Sequence, residues 1–228
     1  MVKVLFIYSN HEDLGTTGKK TGWYLPEVAH PYYVFKDAGF EIEACSPKGG
    51  KCLMDAGSGD MFGDDQSCKK LLADQEALAL IENTQVASDV DFKQYKIVFF
   101  PGGHAPMYDL PDVESTNQLA AQVYENNGIV CAVCHGTAGI VNTKLSNGQY
   151  LIAGRKVTSF TNEEENQVQL MPFMPFPLQT KLSENGGEFV ESSPWSTNVT
   201  VDGRLICGQN PQSATLMAEE VVKAVKAL

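Results

Sequence analysis

The sequence predicts an α/β fold, a parallel β-sheet covered by helices on both faces. Three observations lead there. Lys3–Tyr8, Ile97–Phe100 and Ile129–Val133 are short, mainly apolar runs of the kind that form strands buried on both sides. Stretches with apolar residues at helical spacing lie between them, so strands and helices alternate and the strands need crossovers. Each run ends in a polar or glycine-bearing turn, at the sheet edge where open α/β sheets carry out their chemistry.

Taken in order, Lys3–Tyr8 reads as a central strand, and Ser9–Gly22 as a polar loop. Pro26 suits a first helical turn. Helical spacing runs through Ala29, Tyr33 and Ala38 to a stop at Gly39, and Pro31 predicts a kink or a later start. Phe40–Ala44 alternates as a second strand closing at Cys45-Ser46-Pro47. Lys48–Gln66 is glycine- and aspartate-rich and predicts a long loop, a candidate lid. Leu71, Leu72, Ala77, Leu78 and Ile81 mark one helix, followed by a connector over 87–94. Ile97–Phe100 closes in Pro101-Gly102-Gly103-His104, where tandem glycines let backbone amides approach a ligand. Val113–Tyr124 is an amphipathic helix. Val157–Phe160 predicts a strand and Asn162 a helix cap before Glu163, Glu164 and Glu165. Met171–Pro177 is apolar and proline-broken, a connector or interface segment. Two further strands fall at 189–192 and 199–209, and Asn210-Pro211 opens a last helix with apolar positions 214, 217, 221, 224, 225 and 228.

The chain has 228 residues, 43% of them apolar, enough for a sizeable core. No repeat or linker divides it, so one domain is expected over 1–228, with a loop-rich insertion near 48–66. A net charge of −11 argues against nucleic acid or an anionic membrane as partner. No run of 18 apolar residues predicts a membrane span, and the N-terminal apolar run is too short for a signal peptide. The six cysteines are scattered, which fits a reducing, cytoplasmic setting. Cys131 and Cys134 form a C-x-x-C, the spacing of a redox pair or half a zinc site. With Cys131 inside a strand and no second C-x-x-C, that use is not expected. The four histidines include no helical H-x-x-x-H pair, so neither metal nor cofactor is expected.

The strongest chemical signal is Ala132-Val133-Cys134-His135-Gly136. A strand ends, a small-x-Cys-x-Gly turn follows, and a helical pattern begins: the layout of a nucleophile elbow with cysteine as nucleophile. A helix N-terminus beneath the sulfur predicts a lowered thiol pKa. The competing reading is a buried core cysteine. Glu27, early in the first helix, reads on its own as an acid complementing the helix dipole.

Jointly, Pro26-Glu27-Val28-Ala29-His30-Pro31-Tyr32, Phe100-Pro101-Gly102-Gly103-His104, Ala132–Gly136, Phe160-Thr161-Asn162-Glu163-Glu164-Glu165 and Gly208-Gln209-Asn210-Pro211-Gln212-Ser213-Ala214 resemble the ThiJ/PfpI superfamily. Their order and spacing are those of its HchA-like branch of glutathione-independent glyoxalases and stress chaperones. The resemblance implies a flavodoxin-like parallel sheet sandwiched by helices, related to class I glutamine amidotransferases. It implies Cys134 as nucleophile, His135 as base, Glu27 as the acid beside the thiol, and Glu165 as third acid, with Glu163 and Glu164 as alternatives. The Gly102-Gly103 loop and the His135 amide would bind the oxyanion. Ala105 and Thr137 depart from the glycine and proline common in relatives. The implied reaction turns a 2-oxoaldehyde such as methylglyoxal into a 2-hydroxy acid, D-lactate, without cofactor. Cys134 forms a hemithioacetal, and His135 or Glu27 moves the carbon proton. A holdase chaperone binding unfolded clients, a deglycase and a cysteine peptidase are the alternatives. A homodimer is implied.

Overall fold

The computed structural model describes residues 1–227. Nine strands occur among them: β1 (Lys3–Ile7), β2 (Glu41–Ser46), β3 (Gln85–Val86), β4 (Ile97–Phe100), β5 (Ile129–Val133), β6 (Lys156–Val157), β7 (Glu188–Phe189), β8 (Val199–Asp202) and β9 (Leu205–Gly208). Seven form one sheet in the order β3-β2-β1-β4-β5-β9-β8, parallel except for β8, which pairs antiparallel with β9. β6 and β7 make a small parallel ladder of their own. From β1 the chain goes first to β2 on one side and later to β4 on the other. That reversal opens a crevice at the C-terminal ends of β1 and β4.

Side chains alternate across the pleat, and both faces are apolar. Val4 and Phe6 of β1, with Ile129, Cys131 and Val133 of β5, face one core. It is closed by α1 (Leu25–Asp37) and, at the other end of the chain, α9 (Ala214–Lys226). Leu5 and Ile7, with Val130 and Ala132, face a second core. There α6 (Glu114–Glu125) contributes Leu119, Ala120 and Val123. Val4–Ile7, β4 and β5 carry no charge because water reaches neither face there. No helix among the described residues is long and apolar enough to cross a membrane.

Several local expectations are corrected. Pro31 neither delays nor ends α1, which begins at Leu25 and runs through it. Its missing N–H deprives only the Glu27 carbonyl of a helical partner. Residues 48–66 are not a plain loop. Asp55 caps α2 (Ala56–Phe62) by accepting from Ser58 N–H, and Ser58 Oγ in turn accepts from Leu25 N–H at the head of α1. The single helix expected over 71–81 is two, α3 (Gln66–Ala73) and α4 (Gln75–Glu82). Asp74 divides them, because its carboxylate accepts from the amides of Glu76 and Ala77 and starts a new helix.

The strand expected over 157–160 pairs only at Lys156 and Val157; beyond them Asn198 Nδ2 donates to Thr158 Oγ1, and the Phe160 ring packs against His135. Short helix α5 (Pro106–Asp109) follows the glycine loop. Thr161, not Asn162, caps α7 (Asn162–Gln167), in a reciprocal capping box with Glu164. Met171–Pro177 is, as expected, a partly buried connector, with Pro172, Pro175 and Pro177 exposed. Met174 and Phe176 pack on the second core ahead of α8 (Leu178–Glu184), and the Phe173 carbonyl accepts from Tyr108. A single 3₁₀ turn, Pro211–Ser213, precedes α9, and position 228 lies outside the described residues.

Candidate active site

Cys134 follows β5 directly, with φ +56, the left-handed region that a non-glycine residue adopts only under constraint. The constraint is visible. Residues Cys134–Ile140 form a tight 3₁₀ segment rather than the expected α-helix. Thr137 Oγ1 donates to the Cys134 carbonyl at 2.6 Å, so the threonine that departs from the proline of relatives buttresses the turn. A Cβ on Gly136 would fall 2.2 Å from the Phe100 carbonyl oxygen, so only glycine lets the elbow sit against β4. At Gly102 a Cβ would fall 2.2 Å from Glu27 Oε2 and 2.9 Å from Cys134 Cβ. Absence of a side chain there brings loop, acid and thiol together.

His135 Nδ1 lies 3.3 Å from Cys134 Sγ, and its Nε2 lies 2.5 Å from Glu165 Oε2. Glu165 Oε1 holds a second imidazole, His104 Nε2, at 3.0 Å. The two rings lie 4.2 Å apart between centroids, and Phe160 covers His135 at 4.6 Å. A carboxylate only accepts, so each Nε2 carries the hydrogen and each neutral ring keeps its lone pair on Nδ1. For His135 that lone pair faces the thiol.

The three consecutive glutamates separate by direction. Glu163 is exposed and accepts from Gln167. Glu164 is fully buried and accepts from Thr161, the Trp195 amide, Gln209 and Asn210, which ties the 192–198 loop to α7. Glu165 alone turns to the histidines.

Glu27 is fully buried beside the thiol, and neither carboxyl oxygen has a hydrogen-bond partner of ordinary geometry among the described residues. Burial raises its pKa to about 8, against a smaller downward pull from Cys134 and the Gly102 amide. It therefore holds its proton near neutrality. For Glu165 burial acts in the same direction, but the His135 and His104 imidazoles overcome it and hold the carboxyl well below the usual range. Burial, then His104, lowers His135, against the pull of Glu165. The lowered thiol pKa expected from the elbow is not found. Burial and Glu27 push Cys134 up, and the His135 amide offsets only part of this.

Glu27, His104, Cys134 and His135 line a cavity of about 60 Å³ walled further by Tyr24, Gly103, Phe160, Val168, Trp195 and Pro211, with Glu165 behind the two imidazoles. The Gly103 amide engages no backbone carbonyl among the described residues. A broader hollow of about 830 Å³, over α6 and residues 142–150, shares no residue with this cavity and offers neither cysteine nor histidine. All six cysteines are free, and Cys131 donates to the Val98 carbonyl instead of facing Cys134. Ligand-type atoms of His104, His135 and Glu165 fall within 4.8 Å of one another, as do those of His30, Asp65 and Cys68. Hydrogen bonds account for both clusters, since in the second Asp65 Oδ1 already accepts from the Cys68 amide and pairs with His30. The structure thus brings Cys134, His135, Glu27, Glu165, Gly102 and Gly103 to one place. His104 was not singled out from the sequence, although it follows the Gly-Gly pair directly; Trp195 carried no signal.

Residues 22–224 match the DJ-1/PfpI family. The chain belongs to that family. Glyoxalase 3 of Candida albicans is 34% identical over 98% of this chain and 98% of its own length. The glutathione-independent glyoxalase hsp3101 of Schizosaccharomyces pombe is 33% identical over 99% of this chain and 97% of its own. Among solved structures, the Rapid Encystment Protein 24 kDa of Francisella tularensis superposes with a TM-score of 0.94 at 35% identity, covering 99% of both chains. The flavodoxin-like sandwich expected from the sequence is thus the fold of this DJ-1/PfpI chain, with its elbow at the sheet edge.

Proposed function

We propose that this DJ-1/PfpI protein converts small 2-oxoaldehydes such as methylglyoxal to 2-hydroxy acids without glutathione. One observation carries the reading: an elbow cysteine in line with His135 and Glu165, inside a cavity of about 60 Å³. That space suits a molecule of a few heavy atoms. A peptide or a glycated side chain needs far more room, since ordinary ligand pockets run to ~300 Å³ or more. Size therefore favours the aldehyde over the peptidase and deglycase alternatives, and the glyoxalase names of the two curated relatives support it.

Cys134 is the nucleophile and His135 Nδ1 takes its proton, with Glu165 stabilising the imidazolium. The thiolate adds to the aldehyde carbon, and the free Gly103 amide with that of His135 binds the oxyanion, each donor contributing roughly 3 kcal/mol. Protonated Glu27 serves as acid toward the second carbonyl oxygen. Proton transfer between the two carbons gives a thioester, and water releases the hydroxy acid. The site draws on residues from 24 to 211, so we read the chain as one domain. We also propose a homodimer; light scattering returning the mass of one 24.8 kDa chain at micromolar concentration would refute that.

The test is incubation with methylglyoxal, free of glutathione and with chelator present, followed by assay of both lactate enantiomers. D-Lactate is expected. Absence of lactate, with suppressed aggregation of a heated client protein, would replace this reading with the holdase one.

A further inference from the structure

His135 has no ring nitrogen left for the substrate: Nδ1 faces Cys134 Sγ and Nε2 faces Glu165. The conversion nevertheless moves a proton from the aldehyde carbon to its neighbour. With both His135 nitrogens engaged in the resting site, a second side chain facing the cavity is placed to carry that proton. Four other side chains with exchangeable protons line it: Tyr24, Glu27, His104 and Trp195. The Trp195 indole N–H is given to Gln167 Oε1 at 2.6 Å. Burial raises the Tyr24 phenol further above its ordinary range, so it is almost never a base near neutrality. Glu27 holds its proton and is placed to act as an acid.

His104 differs from all three. Its Nε2–H donates to Glu165 Oε1, which leaves the lone pair on Nδ1. Nδ1 has no hydrogen-bond partner and is not among the sealed polar atoms of the described residues. The side chain is 15% exposed and lines the same pocket as Cys134 and Glu27.

The geometry points to His104 as the catalytic base at the substrate carbon, a second imidazole held through its Nε2–H by the same Glu165 carboxylate. The inference rests on the glyoxalase reading and assigns the step that reading leaves open. In the hemithioacetal, whose oxygen has taken the thiol proton back from the His135 imidazolium, His104 Nδ1 removes the hydrogen of the carbon bonded to sulfur. The C–H electron pair becomes the C=C bond of an enediol, and the neighbouring carbonyl oxygen takes the Glu27 proton. The His104 imidazolium then protonates that neighbouring carbon. The first oxygen returns its proton to Glu27 as its electrons form the thioester carbonyl. No oxidant is consumed, and one water molecule completes hydrolysis. Glu165 serves both imidazoles in turn, His135 during thiol attack and His104 during proton transfer.

The test uses His104→Gln, whose amide can still donate to Glu165, and His104→Phe as a second variant. Turnover of methylglyoxal is measured beside the rate of Cys134 alkylation by iodoacetamide. The expected result is a loss of turnover of about 100-fold or more in both, the scale of acid–base catalysis, with alkylation within about twofold of wild type. A smaller loss of turnover overturns the assignment. A parallel loss of alkylation also overturns it, since His104 would then only support His135. Wild-type protein that forms no hydroxy acid removes the glyoxalase reading and this step together; active wild type with an equally active variant removes this step alone.

Discussion

Two turns of helix bring a glutamate to the same site in different ionisation states, Glu27 beside the sulfur and Glu165 behind His135. The first turn of α1 places Glu27 in a site with no hydrogen-bond partner of ordinary geometry, and desolvation keeps it protonated up to about pH 8. In α7, Glu165 is also buried, but two imidazoles face its oxygens and keep it ionised. Residue type is the same and both are buried, so the partners decide which acid keeps its proton and which one holds a charge. Glu164, one position earlier in α7, shows a third outcome: several N–H and O–H donors consume it in holding loop 192–198, and it never reaches the cavity.

Removing the sulfur has the largest expected effect. Cys134→Ala should abolish methylglyoxal turnover; residual activity above about one part in 10³ would mean that the flanking acids act without a nucleophile.

Substitution of the protonated acid comes next. Glu27→Gln keeps shape and polarity but cannot pass a proton, so turnover should fall by roughly 10²-fold or more. Its stability should move the other way. A carboxyl raised from 4.5 to about 8 binds more protons folded than unfolded, so the wild type loses stability as pH climbs between those values. The loss has an upper bound on the order of 5 kcal/mol. Thermal melts should show Glu27→Gln matching wild type near pH 4.5 and exceeding it above pH 8. Parallel melting curves across that range would contradict a protonated Glu27.

Glu165→Gln should cost less activity than Glu27→Gln, since Glu165 orients imidazoles and touches no substrate; a loss of about tenfold is expected from steady-state rates. Here the linkage has the opposite sign. A carboxyl held low stabilises the fold above pH 4.5, and that stability is lost as pH falls toward the folded-state value. The variant should therefore show a flatter acid limb in melts below pH 4.5.

The smallest effect belongs to the elbow. Thr137→Val deletes the hydroxyl that holds the Cys134 carbonyl and should cost about 1 kcal/mol in chemical denaturation, with a modest drop in turnover.

What could be read in the sequence follows the same division. Strands β1, β4 and β5 were legible because burial on both faces demands continuous apolar runs. The elbow was legible because its glycine and small residues answer a local steric demand. The break at Asp74 was not, since helical apolar spacing continues across it and only the carboxylate cap stops α3. Nor was the choice among Glu163, Glu164 and Glu165, which depends on residues some 30 to 60 positions away in the chain. The direction of the Cys134 shift was misread for a related reason. A helix N-terminus is visible in sequence, whereas the sealing of the sulfur by Glu27 and the aromatic wall is a property of the assembled site.

The opposed ionisation of the two acids is tested most directly by infrared difference spectroscopy of wild type against Glu27→Gln across the pH range. A protonated carboxyl C=O band should be present at pH 6, absent in the variant, and lost in wild type with a midpoint near pH 8. A spectrum at pH 6 with no such band, or a band that survives in Glu27→Gln, would contradict the assignment of Glu27 as the acid that holds the proton.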